Sequence, residues 1–187
     1  NVYSGPNSLQ GKVLISQPTT NSPFFNESVI LVCEHHAKGA WGLVVNKPHP
    51  SLDLKTVSQG IDCGIYANEH VFQGGPVAQE GLHFIHTPDC TVGDTFSVTP
   101  GLCVTSSEAM LREIGENRGP SNWRLCVGVS TWQAGQLEGE MGGEPPWTPQ
   151  HKWLYTTCPI NLLEIPIPTL WQSATSESIS ESVKNLF

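Results

Sequence analysis

Short runs of β-branched residues, each cut off by proline, glycine or asparagine, dominate the first half of the chain: "KVLIS", "SVILVCEHH" and "WGLVVNK". Runs this short and this rich in Val and Ile fit strands better than core helices, and "HHAKGA" is a natural loop joining two strands that are neighbours. The same signature returns in "HVFQ", "GLHFIHT", "TFSVT" and "WRLCVGV". A chain of many short strands must bury them in a sheet, so helices are left to cover its faces. "VFQGGPV", residues 71 to 77, reads as a brief strand and a tight turn in which glycine allows positive φ.

Helical spacing is found at a few places between these runs. Ser51 is a plausible cap ahead of Leu54, Val57 and Ile61, with Gly60 ending the turn. Ser106 or Ser107 caps a second helix that puts Met110, Leu111 and Ile114 on one face and stops at "ENRGP". Ser130 and Gln133 have capping-box spacing before a third, whose stripe of Ala134, Leu137 and Met141 leaves Gln136, Glu138 and Glu140 facing away from it. "HKWLYT" suggests a last strand, "IPIPTLW" is too proline-broken to be regular, and the tail offers one weak amphipathic helix through Ile179, Val183 and Leu186. With no internal repeat and no linker, a single α+β domain over residues 1–187 is the simplest account.

Composition narrows the function classes. Charged residues make up 14% of the 187 residues, below the ~25% of an average soluble domain. The longest apolar runs, "SVILVC" and "WGLVV", fall far short of the ~18 residues of a spanning helix, and no basic-then-apolar leader opens the sequence, so the expected location is cytosolic with no membrane contact. Nine Lys and Arg scattered against 17 acids give a net charge of −8, which disfavours direct nucleic-acid binding: about 6 to 10 phosphate contacts would need nearly every base on one face. The six cysteines, several inside apolar strand-like runs, read as buried reduced thiols rather than a disulfide framework.

The phrases "GKVLISQP", "FFNESVILVCEHHAKGAWGLVVNKP", "VFQGGPV", "GLHFIH" and "RLCVGVSTWQAGQLEGE" followed by "PPW" occur in one order and spacing. Together they resemble the AlgH/YqgE family of bacterial proteins over roughly residues 9–157, with 158–187 divergent. The resemblance implies an α+β fold whose β-rich core, partly closed into a barrel, is surrounded by short helices. It implies no assigned reaction, and the link to transcription, as an indirect regulator, comes only from the family's name. Where the family has a glycine- and proline-rich turn, this chain has "GVSTWQAGQLE".

Residues that carry chemistry are few. "CEHH", residues 33 to 36, gathers a thiol, a carboxylate and two imidazoles. A regular strand would send Cys33 and His35 to one face and Glu34 and His36 to the other, too few on either side to close a metal site. "HFIH" likewise sends His83 and His86 apart. There is no G-x-S-x-G elbow, and Glu138 and Glu140 lie about 200° apart on a helix, which makes them solvated carboxylates rather than a catalytic pair. Pro76 removes one donor from the "GGP" turn, and no Walker lysine follows it. No metal or cofactor is expected. The ligand-binding candidates are His35, Asn46, Gly74, Gly75, Trp132 and Gln136, where family-like phrases converge. The leading expectation is a non-enzymatic binding or regulatory module for a protein partner or a small polar ligand. Its rival is a hydrolase-like enzyme using His35 with Cys33 or Glu34.

Overall fold

The computed structural model describes residues 8–18, 20, 22–142, 146 and 153–184, with the side chains of 180–184 left aside. Ten strands form one curled, half-barrel sheet: β1 (Lys12–Ile15), β2 (Val29–His36), β3 (Gly39–Val44), β4 (Pro48–Asp53), β5 (His70–Gln73), β6 (Val77–His86), β7 (Phe96–Thr99), β8 (Leu102–Thr105), β9 (Trp123–Gln133) and β10 (Leu154–Thr157). The path runs β10-β1-β2-β3-β9-β6-β8-β7, with β4 joined to β5 and β5 lying parallel to β9. Among the described residues four α-helices cover it: α1 (Leu54–Val57), α2 (Glu108–Gly115), α3 (Gln136–Gly142) and α4 (Ile167–Lys184).

Alternation along the strands sorts the core. One face carries Val13, Leu31, Leu43, Phe72, Ile85, Val104 and Cys126 in a single cluster fed from both ends of the sheet. On the other face Val71, Phe84, Leu125 and Val127 meet Met110, Leu111 and Ile114 of α2, the stripe read from the sequence. Also on that face, Leu14, Ile30, Val32, Ala40 and Trp132 meet Leu137 of α3.

β9 is the spine. Its first half pairs with β5 and β6 and its second half, from Ser130, with β3. Gly128, at φ +75°, stands just before the segment that pairs with β3. This overturns the helix cap expected at Ser130, which sits mid-strand and donates its hydroxyl to the Gly74 carbonyl (3.1 Å). α3 starts only at Gln136, leaving Ala134 exposed.

Three further expectations are corrected. Asp53, not Ser51, caps α1, its carboxylate accepting from Thr56 N–H at 2.9 Å, and Ser51 belongs to β4. Ser107 occupies the cap position of α2, but its side chain makes no capping bond. "IPIPTLW" is not irregular: α4 begins at Ile167 with Pro168 in its first turn, where a missing N–H costs nothing. Leu170 and Ala174 of α4 are buried in the cluster that both sheet ends feed, and Trp171 donates its indole N–H to the Ser16 carbonyl (2.9 Å). Ile179 is exposed, the side chain of Val183 is outside the described residues, and so is Leu186. Among the described residues no helix is long and apolar enough to cross a membrane. All six cysteines are free thiols.

Candidate functional site

β2 does not keep its period. Val32 pairs with Gly42 but Glu34 with Trp41, so a bulge at Cys33 absorbs one residue. Cys33 therefore stays in the cluster with Leu31, and Glu34 accepts from the Trp41 indole N–H (3.0 Å) on that same face. His35 is opposite Ala40 on the other face. The expectation that Cys33 and His35 share a face fails for this reason, and neither Cys33 nor Glu34 pairs with His35.

His35 is instead a buried link. The Leu9 backbone N–H donates to Nδ1 (2.9 Å), which places the ring hydrogen on Nε2, directed at the Glu138 carboxylate of α3. Asn46 is similarly occupied: Oδ1 accepts from Val29 N–H (2.9 Å) and Nδ2 donates to the Glu27 carbonyl (2.9 Å). Gly74 and Gly75 lie against β9, where Gly74 N–H donates to the Val127 carbonyl (2.8 Å) and its own carbonyl accepts from Val44 N–H (2.9 Å).

Trp132 and Gln136 do come together, on a cavity of about 300 Å³ between β9, α3 and Trp153. Glu140, only 9% exposed, is part of its wall. One carboxylate oxygen accepts from the indole N–H groups of Trp132 (3.3 Å) and Trp153 (2.9 Å), the other from the Gln136 amide (2.7 Å). Gln136 is held in turn by Gln133 N–H, which donates to its Oε1 at 3.0 Å. Phe25, Ser22, Ser130 and Thr131 also line the cavity. Neither acid of α3 is a freely solvated carboxylate: Glu140 is buried and Glu138 is paired with His35.

The sequence reading missed Glu140. Its signal is the Gln136–Glu140 spacing, since residues four apart on a helix are neighbours. Trp153 and Phe25 have no local signal, because they reach the cavity only through folding.

On the far side of Trp132 an open groove of about 470 Å³ is bordered by Trp41, His83 and Ser106. His83 Nδ1 and Ser106 Oγ are 2.7 Å apart, and burial holds His83 below the ordinary imidazole value. As expected of regular strand, His86 points to the opposite side. There it bonds Thr105 (2.7 Å), which meets Thr95 (2.7 Å). Among the described residues no group of three or more His, Cys, Asp or Glu could hold a metal ion.

A family model described as AlgH-like matches residues 13–181. A UPF0301 protein of Photorhabdus laumondii is 31% identical over 176 residues, 90% of each chain. One from Yersinia pseudotuberculosis is 32% identical over 177 residues, 90% of this chain and 91% of the relative. Among solved structures, the solution structure of the AlgH protein from Pseudomonas aeruginosa matches with a TM-score of 0.76 at 26% identity, covering 94% of this chain and 91% of that one. An X-ray structure of a Corynebacterium diphtheriae protein shares the fold with a TM-score of 0.69 at 19% identity, over 91% and 86% of the two chains.

Proposed function

This chain belongs to the AlgH-like family, and we propose that it serves as a binding module whose ligand occupies the cavity between β9, α3 and Trp153. What carries this reading is Glu140, a carboxylate buried at the wall of a cavity and aligned by three donors from separate places in the chain. Desolvating a charge is expensive, and here the desolvated carboxylate borders open space large enough for a ligand. Aromatic walls with a few converging polar groups are the usual make-up of a small-molecule site. The net charge of −8 supports action through such a ligand, or through a partner that presents it, rather than through contact with DNA.

The test is a thermal-shift screen of the purified protein against common metabolites. A ligand at 100 times its Kd stabilises the folded state by about 2.7 kcal/mol. The expected result is a shift in the parent protein that is lost in Gln136→Ala. A ligand that shifts both proteins equally binds elsewhere and overturns the assignment to this cavity.

A further inference from the structure

Resting on the reading that this cavity is a ligand site, we propose that its ligand is an organic ammonium ion seated on Glu140 between aromatic rings. The three groups that bond Glu140 are all neutral, two indoles and an amide. Each stabilises the carboxylate by dipole alone, and among the described residues none of the ion pairs includes Glu140. Among the described residues no Lys, Arg or His lines the cavity. A buried carboxylate that faces an open space and is bonded there by neutral donors attracts a positive ligand and repels an anion.

The walls suit the same charge. Phe25 and Trp153 meet edge to face with ring centres 5.7 Å apart and planes at 87°, and Trp132 meets Trp153 at 6.3 Å and 79°. All three rings line the cavity, and a cation within about 6 Å of a ring face is held by the ring quadrupole. The hydroxyls decide what kind of cation fits. Ser130 spends its hydrogen on the Gly74 carbonyl, so its oxygen is left an acceptor on the cavity wall, where Ser22 and Thr131 add others. Acceptors select an ammonium that still carries N–H bonds over a fully alkylated one. That chemistry is found on free alkylamines and on lysine side chains.

The test follows the indole N–H resonances of Trp132 and Trp153 in ¹⁵N-labelled full-length protein during titration with n-butylammonium, Nα-acetyl-lysine amide, tetramethylammonium, 1-butanol and butyrate. Saturable shifts with the first two, at least tenfold weaker with tetramethylammonium and absent with butyrate, are expected. Tighter binding of the lysine amide would identify a protein side chain as the source, and equal binding a free amine. Glu140→Gln should weaken butylammonium at least tenfold. Phe25→Leu, at the half-buried rim, should weaken it severalfold and provides the comparison if Glu140→Gln does not fold. No saturable shift with butylammonium overturns the proposal, as does equal binding of 1-butanol. Binding of butanol or butyrate without the ammonium would leave the cavity a ligand site and overturn only its charge preference.

Discussion

Gly75 lies so close to Val129 that a Cβ on it would fall 1.9 Å from the Val129 carbonyl carbon. The tight turn of "QGGP" is thus a backbone-to-backbone contact that sets how nearly β9 approaches the end of β5. Gly75→Ala should destabilise the protein by more than about 3 kcal/mol, because the clash is with main chain that cannot rotate away. Gly60→Ala makes the comparison: its φ is +86° but nothing lies within 4 Å, so only the left-handed backbone is penalised, at about 1–2 kcal/mol. Urea unfolding of both variants measures the difference.

Leu170 of α4 is 1% exposed and sits in the shared cluster. Leu170→Ala should cost about 3 kcal/mol by leaving a cavity there. A loss below about 0.5 kcal/mol in the same unfolding assay would mean that α4 is not seated on the sheet.

Burial lowers the pKa of both His83 and His86 from the ordinary 6.5. Below that value the unfolded chain takes up protons that the folded rings still refuse. The stability these rings contribute is therefore present above about pH 6.5 and lost as pH falls through the folded values. Unfolding free energy should decline on acidification from about pH 7.5 to 5.5, with a shallower slope in His83→Gln. An unchanged slope would show that His83 titrates alike in both states.

Burial pushes the thiols of Cys126 and Cys158 up to about 12 and raises Cys33 well above the usual value. Iodoacetamide at about pH 8 should label Cys90 first, the one cysteine that is not buried, and reach these three only on unfolding. Peptide mapping by mass spectrometry reads the order.

What could be read before folding was what depends on near neighbours. Ile30, Leu31 and Val32 announce a strand buried on both faces, and Met110, Leu111 and Ile114 a helix with one apolar side. The bulge at Cys33 left no such mark. One inserted residue moves His35 to the other face, and only the register against Ala40 and Trp41 discloses it. Ser130 was misread because Ser-x-x-Gln has the same spacing whether it caps a helix or ends a strand, and the deciding fact is the Gly128 bend that carries β9 on to β3. For the cavity, the proximity of Trp132 and Gln136 was legible because they stand at one strand end and the helix that follows. Glu140 was dismissed because its burial depends on Trp153, thirteen residues further along and brought in by the pairing of β10 with β1.

β9 gives one wing of the sheet its partner with residues 123–129 and the other wing its partner with its last four. Neither wing can be melted alone without stripping hydrogen bonds from the strand the other depends on. Amide exchange along Leu125–Val127 and along Ser130–Trp132 should then share one opening energy, equal to that of the whole molecule, so that loosening the cavity beside Glu140 and loosening the far helix α2 are a single event.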